Sequence, residues 1–174
     1  MPLREIITIP HETLKRKARP VTSVDSKLQE LIDDMVETMR AAPGVGLAAP
    51  QIDVPLSLIV VEFGDEEDEE APKKLFTLLN PEITRPSTEI LTGMEGCLSI
   101  PGFVADVDRH DSVVVKALNR RGQPVKVKAS GWLARIFQHE VDHVNGILMT
   151  DIATKIYRLE DLEDDEEHNT DEDL

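Results

Sequence analysis

Residues 132–144, WLARIFQHEVDHV, constrain this chain more than any other segment. Leu133, Ile136, Phe137, Val141 and Val144 make the segment an apolar helix, of the kind a domain wraps around rather than leaves on its surface. The same helix carries His139, Glu140, Asp142 and His143. Burying those groups without a purpose costs on the order of several kcal/mol in desolvation, so the fold has to supply them with partners. Positions i and i+4 share a helix face, and both imidazoles can therefore reach one cation. Glu140 is rotated about 100° from His139. It lies near that cation without being forced to bind it, which suits a general base acting on a water at the metal.

Two histidines leave a tetrahedral ion short of one protein ligand and one open position. A metzincin protease requires His-Glu-x-x-His-x-x-Gly-x-x-His. The chain matches through Gly146 and then has Met149 at the third histidine position. A downstream glutamate ligand would have to be Glu160 or Glu163, in a segment too weakly anchored to hold one in place. The remaining soft donor is Cys97, the only cysteine, in Glu95-Gly96-Cys97-Leu98-Ser99. A lone cysteine is commonly a small buried apolar residue. Beside a His-x-x-x-His helix lacking a ligand, a metal-bound thiolate is the better reading.

A third segment, Gly44-Val45-Gly46-Leu47-Ala48-Ala49-Pro50-Gln51, lacks the Gly-x-Gly-x-x-Gly spacing and has no Lys-Ser/Thr after it, which disfavours phosphate binding. Its glycines allow close backbone approach and Gln51 offers an amide donor; a tight, packed loop explains the segment equally well.

The rest of the chain reads as a soluble α+β domain. Residues 26–40 have the spacing of an amphipathic helix capped by Asp25 or Ser26, stopping before Pro43-Gly44. Segments 56–63 and 75–79 read as buried strands, the second ended by Asn80-Pro81. Segments 112–118 and 124–129 flank a turn at Asn119 to Gln123 and read as a hairpin. A short helix is expected over 151–162. Strands clustered between two main helices give a mostly antiparallel α+β arrangement.

The net charge of −15 is unevenly spread. Segment 62–70 holds seven acids and 158–174 ten, half of the 34 in the chain, and what remains is close to neutral. Neither segment has the apolar content to fold alone, so both are expected to be solvated and disordered. The expected layout is a catalytic domain over 1–158, with an acidic loop at 64–70, and an acidic tail over 159–174. No apolar run reaches the ~18 residues of a membrane span. The first residues lack a signal-peptide pattern, Pro2 excludes N-myristoylation, and a single cysteine fits a reducing cytoplasm.

Together, three segments resemble peptide deformylase, the family that removes the formyl group from the initiator methionine of new bacterial proteins. They are Gly44 to Gln51, Glu95 to Ser99, and Gln138-His139-Glu140 with Asp142-His143, in the family's order and at about its spacing. Weaker likenesses cover most of residues 6–150, while the acid loop and the tail lie outside them. The resemblance implies antiparallel strands around a central helix carrying the His-Glu-x-x-His. It implies a divalent metal on Cys97, His139 and His143, with ferrous iron as the physiological ion and zinc, nickel or cobalt as replacements that the ligand types also suit.

Glu140 would act as general acid and base, and the Leu98 N–H with the Gln51 amide would stabilise the oxyanion. Val45, Gly46 and Gly96 would bind the substrate backbone. Helix spacing puts Trp132 and Ile136 on the face of His139, lining a methionine pocket with Arg135 at its edge as a solvated surface charge. A core role for Trp132, closing the helix against the sheet, is the alternative. Glu95 and Arg109 would form a buried ion pair.

The implied partners are N-formylmethionyl nascent peptides and the ribosome near its exit tunnel. The acidic C-terminus departs from the basic helix through which some relatives dock there. No membrane and no direct nucleic-acid readout is implied. Competing readings are a metallopeptidase, a deacylase for another N-acyl group, and a non-catalytic metal-binding module.

Overall fold

The computed structural model describes residues 2–65 and 67–171, with side chains through 165. Its elements run α1 (Ser26–Ala41), β1 (Gly46–Ala48), β2 (Leu58–Phe63), β3 (Lys74–Thr84), β4 (Ile90–Gly96), β5 (Phe103–His110), β6 (Ser112–Leu118), β7 (Pro124–Ser130), α2 (Gly131–Val144), α3 (Met149–Ile152), β8 (Lys155–Arg158) and α4 (Leu159–Asp171). The strands form two antiparallel sheets, one of five in the order β1-β2-β3-β6-β7 and one of three in the order β4-β5-β8. Among the described residues no helix is long and apolar enough to cross a membrane.

Strand β2 explains how the layers stack. Its buried run alternates between two cores, because successive side chains of a strand point to opposite faces. Leu58 and Val60 pack with Leu28, Ile32, Met35 and Met39 of α1. Ile59 and Val61 pack with Ile136, Phe137 and Val141 of α2. The five-stranded sheet therefore lies between the two helices, and a strand buried on both faces reads as continuous rather than alternating. Helix α1 starts where expected: the Asp25 carboxylate accepts from the Leu28 N–H at 2.9 Å. Helix α2 touches strands of both sheets, which places the His-Glu-x-x-His at their junction.

Three expectations need correction. Strand β3 does not stop at Asn80-Pro81. It continues to Thr84 through a bulge, where the register shifts between Leu79 and Glu82. Asn80 takes φ 52° there, and its side-chain amide pairs with the Val21 backbone at 2.7 and 3.0 Å. Asparagine tolerates that conformation, and a bulge is one of the few sheet positions that accepts proline.

The helix expected over 151–162 is divided: α3 ends at Ile152 and β8 joins the edge of β5, with Phe103 opposite Arg158 and Asp106 opposite Lys155. The acidic tail, expected to be disordered, is helical over Leu159–Asp171. Its Leu159 N–H donates to the Gly102 carbonyl at 2.9 Å, and Glu160 and Asp161 occupy the first turn, where acids complement the helix dipole. Residues 172–174 lie outside the described residues.

Candidate metal centre

The end of β4 delivers Glu95, Gly96 and Cys97 against α2. Cys97 Sγ lies 3.4 Å from His143 Nε2, and the donor atoms of Cys97, His139 and His143 all fall within 4.8 Å of one another. His139 Nδ1–H donates to Glu95 Oε1 at 2.8 Å, which fixes the tautomer and leaves Nε2 as the available donor. A thiolate and two imidazoles form a donor set that suits a divalent transition metal. The charges agree with that fit. Burial pushes His139 down, but its hydrogen bonds with Cys97 and Glu95 and the Glu140 charge carry it up to about 10, so without a metal the ring holds a second proton at Nε2, the place a metal ion would take. Burial holds His143 well below its ordinary value, in the neutral form a ligand needs.

Glu95 is braced from two further sides. Arg109 grips it with two hydrogen bonds of 2.9 Å and reaches Asp142 Oδ2 at 2.5 Å. Arg135 Nη1 adds a bond of 2.7 Å to Glu95 Oε2, which Arg109 Nε also reaches. The buried Glu95–Arg109 pair is therefore present. Arg135 is not a solvated surface charge: it is 6% exposed, and the Val107 and Leu91 carbonyls also accept from it, at 2.9 and 2.8 Å. Its fork of donors is satisfied by acceptors on β4 and β5, which helix spacing alone does not reveal. Gly93 makes the room, since a Cβ there would stand 2.7 Å from the Arg135 Cζ.

Glu140 follows His139 directly and lines the same cavity as Cys97 and His139. Its Oε2 is buried with no hydrogen-bond partner among the described residues, and burial pushes the carboxyl up to about 7 against the opposing pull of His139. The Gln51 amide, in a 3₁₀ turn over Ala49–Ile52, is held by its oxygen, which accepts from the Ala48 N–H at 2.9 Å. Its Nε2 then points to the Ser99 hydroxyl at 3.2 Å and towards Cys97 Sγ at 3.7 Å. Ser99, fully buried at the end of the Glu95 to Ser99 segment, is a contributor to which the sequence pattern assigns no role.

One cavity of about 420 Å³ gathers Val45, Gly46, Gln51, Gly96, Cys97, Leu98, Trp132, Ile136, His139 and Glu140. His143, 1% exposed, does not line it. Trp132 is 40% exposed in the cavity wall, with the Arg135 guanidinium 5.8 Å from its ring centre, so it does not close the core. Leu159 and Phe103 also line the cavity, and no motif marked them.

Comparison with known proteins agrees with this geometry. The family model described as polypeptide deformylase matches residues 3–158. A peptide deformylase of Symbiobacterium thermophilum is 50% identical over 168 residues, covering 96% of this chain and 75% of that protein. The crystal structure of a peptide deformylase from Legionella pneumophila superimposes with a TM-score of 0.79 at 43% identity, over 88% of this chain and 87% of that one. A Met-Ala-Ser-bound class I type b peptide deformylase from Acinetobacter baumannii gives a TM-score of 0.80 at 36% identity, over 87% and 98%. The chain belongs to the polypeptide deformylase family.

Proposed function

We propose that this enzyme hydrolyses the formamide of N-formylmethionyl nascent peptides, releasing formate, with a metal held by Cys97, His139 and His143. The observation that carries the reading is the meeting, at one cavity, of that donor triangle with the buried Glu140 carboxyl, whose Oε2 has no hydrogen-bond partner among the described residues. When bound, the ion supplies Lewis-acid polarisation and an acidified water. Glu140 takes the proton of the attacking water and later gives it to the leaving amine nitrogen as the C–N bond breaks. The Gln51 Nε2–H and the Leu98 N–H donate to the oxyanion, as preorganised neutral donors. Val45, Gly46 and Gly96 align the substrate backbone, and Trp132 and Ile136 flank its methionine. The Met-Ala-Ser complex of the Acinetobacter baumannii relative supports a Met-first peptide as ligand.

Ferrous iron is the proposed physiological ion. An iron–thiolate site that a solvent-open cavity reaches at Cys97 is oxygen-sensitive, which fits a reducing cytoplasm. Helix α4 is rich in acidic residues, which a polyanionic ribosomal surface repels. A metallopeptidase using the same helix would cut peptide bonds. With one formyl-Met-Ala-Ser substrate, formate and intact Met-Ala-Ser are expected; formyl-methionine with Ala-Ser, or formyl-Met-Ala with serine, and no formate would favour the peptidase.

A further inference from the structure

The family match ends at residue 158, yet the next residue, Leu159, lines the same cavity as Cys97, His139 and Glu140. Strand β8 brings it there. Phe103 pairs with Arg158 across the β5–β8 ladder, and the Leu159 N–H donates to the Gly102 carbonyl at 2.9 Å. The pairing and the hydrogen bond set Leu159 beside Gly102 and Phe103, which line the cavity as well. Leu159 is 42% exposed and Phe103 38%, a large apolar pair standing half in water on the wall of the reaction cavity. The methionine face of that cavity, Trp132 and Ile136, belongs to α2; the Phe103–Leu159 pair comes from β5 and the β8–α4 junction.

We propose that Leu159, together with Phe103, is a specificity-determining residue that contacts the side chains following the formylated methionine and favours bulky apolar ones. The inference rests on the deformylase reading above. The occupant is the substrate's own chain, because the pair is continuous with the cavity of the metal ligands. A peptide whose first side chain lies against Trp132 has further side chains to place, and apolar area left half-covered gains from being covered by them. Glu160 and Asp161 follow Leu159 directly in the first turn of α4, so acidic side chains are disfavoured at the same place.

The test is kcat/KM for formate release from formyl-Met-Leu-Leu, formyl-Met-Gly-Gly, formyl-Met-Asp-Asp and formyl-Met-amide, by the metal-loaded enzyme and by Leu159→Ala and Leu159→Lys. The wild type is expected to prefer Leu-Leu over Gly-Gly, and Leu159→Ala to reduce that ratio about fivefold, the loss appearing mainly in KM. Leu159→Lys is expected to raise the Asp-Asp to Leu-Leu ratio by about tenfold. Unchanged ratios, or an equal fall on all four substrates, would overturn the proposal while leaving the deformylase reading intact. No formate from any substrate, formyl-Met-amide included, would overturn both.

Discussion

Gly46 matters for the atom it lacks, since a Cβ there would stand 2.8 Å from Glu140 Oε1. The backbone of β1 lies flush on the carboxylate, and a methyl group must move one or the other. Gly46→Ala is expected to lower kcat at least tenfold with metal content unchanged, because a displacement near 1 Å at a proton-transferring group costs about that or more. Metal analysis alongside steady-state rates checks it; wild-type kcat would mean Glu140 has slack. Cys97→Ala and His143→Ala each leave two protein ligands, too few to hold an ion tightly in an open site. Both are expected to emerge without stoichiometric metal, and full occupancy in either would remove that residue from the ligand set.

At this scale much was legible. His139, Glu140 and His143 fall within five consecutive positions of one helix, and Cys97 is the only thiol. Arg135 was not legible, because its burial depends on carbonyls of Leu91 and Val107 that only the folded sheet brings to it.

Among the elements, Glu95 ties β4 to β5 through Arg109 and to α2 through His139 and Arg135. Burial would raise its pKa from 4.5, but the hydrogen bonds from Arg109 and His139 win and hold it down to about 2. A folded value below the unfolded one stabilises the protein fully above about pH 4.5, and that stability is lost as pH falls towards 2. The Tm of the metal-free wild type is expected to fall across that window. Glu95→Gln should cost about 3–5 kcal/mol at neutral pH, since two buried arginines lose their carboxylate, and should flatten the acid limb. Equal acid slopes in the two proteins would show that another group carries the effect.

Elements with strong periodicity were readable from sequence, as in α1, α2 and the β6–β7 hairpin. Strands β4 and β5 were not, since Gly93 and Gly96 interrupt one and Asp106, Asp108 and Arg109 charge the other. The stability of β8 comes from pairing with β5 rather than from its own four residues.

The whole molecule is a nearly neutral catalytic body with two acidic appendages. In α4, Leu162 is the partly buried apolar residue after Leu159 among those described, and acids crowd the surface around it. Deleting 164–174 is therefore expected to leave Tm and kcat unchanged within error; a large fall in either, measured on the metal-loaded enzyme, would show that the distal helix packs on the domain.

The central claim is that Glu140 moves the proton while Cys97, His139 and His143 hold the metal. Its most direct test is formate release from formyl-Met-Ala-Ser by wild type and Glu140→Gln, both loaded anaerobically with ferrous iron and matched for metal content. The amide keeps the shape and cannot accept a proton at neutral pH, so the variant is expected to retain its iron and lose about 10²–10⁴-fold in kcat. A fully metallated Glu140→Gln enzyme turning over at the wild-type rate would contradict the account.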